Sequence, residues 1–246
     1  MLNLNFTSFK NITFDEGKIL YDFVLKNKIQ SILEIGTHAG YSTIWLAKAC
    51  EQNQGTVHTV DYQRNLNPDS LAMFKINRVG NVFCKTVNGD FETLKEELKK
   101  INEKFDLIVI DECHENISEL FTSIKNHYND HCYVIFHDIM CSSSNYMKTP
   151  KFWASIYQIP GFEIKKNEVV TYDEKENKNG FGIVELIKIE KEIKEDIARS
   201  INIQKRAEEN VINVVEETKI ADIEKDFKEE KLTQEKKSRK TKKNDT

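Results

Sequence analysis

The side chains able to do chemistry in this 246-residue chain fall at one kind of place, the end of a short apolar run. Glu34 closes "SILE" just before Gly36 and Gly40. Asp61 closes "TVHTVD", Asp90 closes "VNGD", and Asp111 closes "FDLIVID" ahead of Glu112, Cys113 and His114. His137 and Asp138 close "CYVIFHD". Carboxylates and imidazoles so placed can take the cationic end of a ligand, accept hydrogen bonds from its hydroxyls, or carry a proton. An unpaired carboxylate at the end of a buried strand is costly, which makes Asp111 hard to explain as decoration.

The order of elements is what gathers these residues. "TFDEGKILYDFVLKNK" has Thr13 and Glu16 in capping-box spacing, with Ile19, Leu20, Phe23 and Val24 on one face, and predicts an amphipathic helix. "SILEI", "TVHTVD", "VFCKTV", "FDLIVID" and "CYVIFHD" then alternate with the helical segments "YSTIWLAKACEQ", "DSLAMFKINRVG", "DFETLKEELKKINE", "NISELFTSIKNHY" and "PKFWASIYQ". Short apolar strands alternating with helices predict a parallel sheet covered on both faces. "FEIKK" and "FGIVELIK" follow with the polar connection "NEVVTYDEKENKNG" and no helix between them, so they read as a terminal antiparallel hairpin. The fold class is therefore α/β, a doubly wound, mainly parallel seven-stranded sheet, and ligands of such sheets bind outside the carboxyl ends of the strands.

A glycine turn between a strand and a helix suits a pyrophosphate when it reads G-x-G-x-x-G. Here the spacing is G-x-x-x-G, and Glu34 would repel a phosphate. A cationic ligand without phosphate fits better, and S-adenosylmethionine is one, with an ammonium, a sulfonium and an adenosine. Asp61, 25 residues after Gly36, is placed for the ribose hydroxyls, and Asp90 with Phe91 for the adenine. The chain thus resembles the class I S-adenosylmethionine-dependent methyltransferases. "LEIGTHAGYST" matches that family's first motif, "VHTVD" its second, "VNGDF" its third and "FDLIVID" its fourth, over roughly residues 12 to 189. The resemblance implies cofactor binding by Glu34, Gly36, Thr37, Gly40, Tyr41, Ser42, Asp61, Asp90 and Phe91.

"VIDECH", "VIFHDI" and "PKFW" further resemble a subgroup of sugar and small-molecule O-methyltransferases, some acting on surface glycans. That resemblance implies a hydroxyl acceptor on a sugar or similar polar metabolite. It also implies a divalent metal, Mg2+ the candidate, on Asp111 and Asp138, and catalytic roles for Asp111, His114 and His137. His137 stands where some relatives carry another acid. A base at His114 and a metal at the two aspartates are compatible devices, and the sequence does not choose between them.

Plainer roles stand beside these. Asp90 can cap the helix it opens. His38 can merely line the glycine turn, Cys113 is a bystander, and Phe152 and Trp153 suit a core as well as a lid. "CSSSNYMKTP", residues 141–150, is long and polar and is the candidate for a loop that covers substrate. An NAD-binding oxidoreductase is disfavoured by Glu34 and the glycine spacing, and a non-catalytic scaffold by acids and histidines that a scaffold does not need.

A formal net charge of −4 gives no basic field for nucleic acid, and no apolar run is long enough to span a bilayer. Five scattered cysteines, odd in number and without C-x-x-C, fit reduced thiols in a cytoplasm. A homo-oligomer is compatible with this composition. From Glu190 to Thr246 the chain holds 15 acidic and 15 basic residues, one aromatic and no Gly or Pro, so the boundary falls between a methyltransferase domain, 1–189, and a charged helical or disordered tail, 190–246. Within the tail "KKSRKTKK" reads as a solvated basic cluster. Truncation after Lys188 is expected to leave the melting temperature and cofactor affinity unchanged, as read by scanning calorimetry and titration. A collapse of either would show that the tail packs on the domain.

Overall fold

The computed structural model describes residues 12–62, 73–75, 77–141, 148–172 and 178–189. The charged tail, residues 69–72 and 76 of the helix expected over 69–80, and residues 142–147 of the expected covering loop lie outside them. Helix α1 spans Phe14–Lys26, and the capping box is formed: Glu16 N donates to Thr13 Oγ1 at 3.2 Å and Thr13 N donates to Glu16 Oε2 at 2.9 Å. Strand β1 (Ser31–Ile35) leads through the glycine turn into α2 (Tyr41–Gln52), then β2 (Thr56–Tyr62) and β3 (Val82–Val87). Helix α3 (Phe91–Lys99), β4 (Phe105–Ile110), a 3-10 turn at His114–Asn116, α4 (Ile117–Ser123), β5 (Tyr128–Phe136), α5 (Lys148–Ser155), β6 (Phe162–Tyr172) and β7 (Lys178–Lys188) complete the described chain.

One seven-stranded sheet runs in the order β3-β2-β1-β4-β5-β7-β6. The first five strands are parallel, and β7 is antiparallel to both β5 and β6. This is the class I methyltransferase arrangement, with the order reversing between β1 and β4. The hairpin is longer than the sequence pattern suggests. "NEVVTY" is strand rather than connection, because its β-branched residues pair directly with β7, Asn167 opposite Ile183 through Tyr172 opposite Lys178. Likewise β5 begins four residues before Cys132, at Tyr128.

Alternation along the central strands decides which face each residue serves. Leu33, Ile35, Ile108, Ile110, Val134 and Phe136 join one apolar cluster with Leu94 of α3, Leu120 of α4 and Trp153 of α5. Ile32, Val57, Leu107, Val109 and Ile135 join the other with Leu20 and Val24 of α1 and Ala47 of α2. By the same parity Glu34, Thr59 and Asp61 belong to the α1/α2 side of the sheet, as do Asp111 and His137, one residue past their strands.

Trp153 belongs to the core and not to a lid. It is buried over Gly182, its indole Nε1 donates to Glu168 Oε1 at 2.5 Å, and Lys166 Nζ lies 4.1 Å from its ring centroid. On the opposite face α1 approaches α2 so closely that a Cβ on Gly17 would lie 2.0 Å from Trp45 Nε1. Helix propensity alone favours alanine over glycine by about 1 kcal/mol. Gly17→Ala is nevertheless expected to destabilise the fold by about 1–3 kcal/mol through overpacking. Gly80→Ala, with nothing within 4 Å of its added Cβ, should be near neutral; urea denaturation of both variants checks the contrast.

Candidate functional site

The parallel ladder continues one residue beyond each central strand. Gly36 N donates to Val60 O at 2.9 Å, Asp111 N to Ile35 O at 2.9 Å and His137 N to Ile110 O at 3.1 Å. The glycine turn and the ends of β4 and β5 are thereby set side by side. Gly36 has φ +113° and would place a Cβ 2.7 Å from Asp111 O; Gly40 has φ +81° and would place one 2.6 Å from the Phe74 ring. Both positions need glycine for conformation and for space.

The carboxylates beside this turn are unequal. Glu34 is fully buried beneath α2, where its Oε2 accepts from Thr43 Oγ1 at 2.5 Å and Thr59 Oγ1 at 2.6 Å. Since the Thr59 proton goes to Glu34, Thr37 donates to Thr59 across 2.6 Å, so the acid is tied to the turn itself. Its Oε1 has no hydrogen-bond partner among the described residues. Burial drives its pKa up to about 7, the hydroxyls of Ser42, Thr43 and Thr59 pull it down, and Asp111 adds repulsion. Asp61 is also buried and accepts from His38 N and Tyr62 N, each at 2.6 Å. His38 serves the turn through its backbone at φ 42°. Asp90 does cap α3, its Oδ1 accepting from Thr93 N and Thr93 Oγ1 at 3.0 Å, with Phe91 behind it under Lys95 Nζ. Tyr41 and Ser42 are buried in the first turn of α2.

Beyond β4 and β5 the structure gathers Asp111, His114 and Asp138, whose ligating atoms all lie within 4.8 Å of one another. His114 Nε2 is 3.7 Å from Asp138 Oδ2, and its Nδ1 is 3.0 Å from Thr149 Oγ1 on α5. With Nδ1–H donating to Thr149, Nε2 turns its lone pair toward Asp138, the form that a base or a ligand needs. Burial lowers the His114 pKa despite Asp111 and Asp138, and keeps the ring neutral at pH 7. Burial raises the Asp138 pKa; His137 opposes that rise and Asp111 adds to it. Asp138 itself has φ 60° and lies past the regular strand.

His137, expected to share in catalysis, adjoins that group, its Nδ1 lying 3.6 Å from Asp138 Oδ1. It is 4% exposed, with Nδ1 2.8 Å from Asp111 Oδ1 and Nε2 3.2 Å from Glu16 Oε1. Burial disfavours its charge, yet the two acids outweigh that and hold its pKa well above the ordinary imidazole range. Glu16 shows the reverse: burial would raise its pKa, and the imidazolium and Thr171 bring it below the usual value. Sequence reasoning saw in Glu16 only a helix cap, and it gave no role to Thr43, Thr59, Thr149 and Thr171, because only the fold decides which acid or imidazole a threonine hydroxyl meets.

Residues 33–139 match a family model described as a methyltransferase domain. No curated protein matches the chain in sequence. Among solved structures, the O-methyltransferase TomG from Streptomyces achromogenes, involved in tomaymycin synthesis and solved with S-adenosylmethionine, is similar at 19% identity, covering 72% of this chain and 81% of that one with a TM-score of 0.58. An O-methyltransferase from Bacillus cereus, solved with S-adenosylhomocysteine, is similar at 22% identity, 72% and 82% coverage and a TM-score of 0.60. Cofactor-bound Rv0187 from MTB is similar at 20% identity, 76% and 85% coverage and a TM-score of 0.62. At these identities the likeness is one of fold.

The buried acid under α2 has a measurable signature. An unfolded chain gives up the Glu34 proton near pH 4.5, whereas the fold keeps it until about pH 7. The associated stability is therefore fully present below pH 4.5, lost as pH rises to about 7, and constant above. Over that window the wild type should lose roughly 3 kcal/mol relative to Glu34→Gln, since a proton held one pH unit longer is worth about 1.4 kcal/mol. Urea denaturation of both proteins across this range reads the difference, and a pH-independent gap would refute the assignment.

Proposed function

We propose that the chain, which carries a class I S-adenosylmethionine-dependent methyltransferase domain, methylates a hydroxyl on a sugar or similar small polar acceptor. The observation that carries this reading is the Asp111, His114 and Asp138 group, within 4.8 Å, at the strand ends next to the glycine turn. The residues of the turn fit the cofactor. Gly36 and Gly40 let the turn pass where a side chain would strike Asp111 O and the Phe74 ring, and the buried Glu34 Oε1 has an acceptor to offer a cation. Asp61, held beside the turn by His38 N and Tyr62 N, supports the ribose assignment, and both Thr93 bonds to Asp90 fall on Oδ1.

S-adenosylmethionine supplies an electrophilic methyl on a sulfonium. The protein must align the acceptor oxygen with it, exclude water and receive the acceptor's proton. His114, neutral at pH 7 and oriented by Thr149, is placed to take that proton at Nε2. The carboxylates of Asp111 and Asp138 would also suit a hard divalent cation such as Mg2+, which would lower the pKa of a bound hydroxyl. A cleft of about 380 Å³ next along the chain from His114 is lined by Glu115, Asn116, Ile117, Ser118, Lys148, Lys151 and Phe152, and its open surface is more apolar than polar. The resemblance of "VIDECH", "VIFHDI" and "PKFW" supports a sugar-like acceptor and a setting in surface-glycan biosynthesis. The reading takes residues 1–189 as the catalytic domain, 190–246 as a charged tail, and the cytoplasm as the compartment of a chain with odd, scattered cysteines. No helix among the described residues is long and apolar enough to cross a membrane.

The test is release of S-adenosylhomocysteine over a panel of nucleotide sugars and glycan fragments. With an active acceptor, EDTA should abolish turnover and Mg2+ restore it, and Asp111→Ala and Asp138→Ala should each be nearly inactive while still binding S-adenosylmethionine. If proton removal by His114 suffices, chelation will have no effect and His114→Ala will lose roughly 10²–10⁴-fold. Near-normal turnover in all three variants would place the active site elsewhere.

A further inference from the structure

Glu16 and His137 are 121 residues apart in sequence, and a helix cap gives them no reason to meet. The capping box occupies only one oxygen of Glu16: Oε2 accepts from Thr13 N at 2.9 Å and Thr13 Oγ1 at 3.2 Å. Oε1 turns the other way, where it accepts from Thr171 Oγ1 of β6 at 2.6 Å and lies 3.2 Å from His137 Nε2. The opposite ring nitrogen of His137, Nδ1, lies 2.8 Å from Asp111 Oδ1. An N3 glutamate can complete a capping box at the surface. Glu16 is instead 1% exposed, an expensive place for a carboxylate unless its partners repay the lost hydration.

We propose that Glu16 is a positioning residue, which acts through His137 to hold the Asp111 carboxylate in the orientation that the Asp111, His114 and Asp138 group requires. An imidazole held by one hydrogen bond can still swing about its Cβ–Cγ bond. A second bond at the opposite nitrogen fixes the ring plane, and with it the direction from which Asp111 is addressed. Glu16 supplies that second bond, with Asn179 Nδ2 3.3 Å from the same nitrogen, and Thr171 Oγ1 and the backbone N–H of Thr13 fix Glu16 in turn. Helix α1, whose sequence carries no catalytic motif, thus becomes part of the frame of the acceptor-side acids. This inference rests on the reading of those acids as the acceptor and cation site.

The experiment compares the full chain with Glu16→Gln and Thr13→Ala. Glutamine has a single carbonyl oxygen and cannot serve Thr13 and His137 together. Thr13→Ala weakens the cap and leaves Glu16 Oε1 in place. Mn2+ affinity is read by electron paramagnetic resonance, and the His137 ring by long-range 1H–15N correlation spectra that report the Nδ1–Asp111 hydrogen bond. Glu16→Gln is expected to lose about tenfold or more in Mn2+ affinity and to shift the His137 ring signals, with S-adenosylmethionine affinity unchanged. Thr13→Ala is expected to lower the melting temperature with both readouts unchanged. Unchanged ring signals in Glu16→Gln overturn the proposal, as does an equal loss of Mn2+ affinity in Thr13→Ala. Should the wild type bind no Mn2+, the metal reading fails by itself, and the ring spectra alone decide: shifted signals in Glu16→Gln support the positioning role and unshifted ones overturn it.

Discussion

Three backbone hydrogen bonds, Gly36 N to Val60 O, Asp111 N to Ile35 O and His137 N to Ile110 O, carry the parallel ladder one residue past the regular strands. Everything chemical in the molecule hangs from them. They leave the glycine turn, the first acid after β4 and the histidine after β5 in fixed register at the point where strand order reverses. A parallel sheet of this kind has both faces covered, so its carboxyl edge is the one broad place where polar side chains can collect without crossing apolar core. The close fit of Gly36 against Asp111 O shows how tightly the β1 turn and the β4 end are joined.

Around that edge one low-dielectric environment gives opposite outcomes. Glu34 has only neutral hydroxyls to answer its charge, and burial wins, lifting its pKa to about 7. His137 meets carboxylates at both nitrogens, and there attraction outweighs burial, so the ring holds its proton. Glu16 gains from the same pairing and stays ionised. His114, near two acids but contacting a threonine, is decided by burial and stays neutral. Charged groups therefore form a braced pair below, and a neutral imidazole remains beside Asp111 and Asp138. That division of labour suits a site that must hold its own geometry and still accept a proton.

The side-chain parity of the strands was readable from the chain. "SILEI", "FDLIVID" and "CYVIFHD" each place alternate residues on alternate faces, which is why Glu34, Asp111 and His137 share one side of the sheet. The glycine spacing marked the turn, and "TFDEG" marked the start of α1 down to its two capping contacts. The hairpin was legible in kind but not in extent, because "NEVVTY" looks like a polar connection until β7 lies against it. Phe152 and Trp153 were ambiguous for the same reason, since an aromatic on a short helix is assigned to core only by what packs beneath it, here Gly182 and Phe136.

By itself the sequence determined what is local or periodic: the order of strands and helices, the glycine turn, the caps of α1 and α3, and a rim of acids and histidines at the strand ends. These follow from backbone conformation, side-chain alternation and hydrogen bonds between residues a few positions apart. Only the tertiary structure decided which of those acids is turned inward and which is braced. Glu34 points under α2 because Thr43 and Thr59 await it there, and Glu16 leaves its helix to meet His137 because α1 packs over the ends of β4 and β5. These pairings join residues 9, 25 and 121 positions apart. No spacing rule encodes them, since they arise when the sheet and its covering helices close on the same volume.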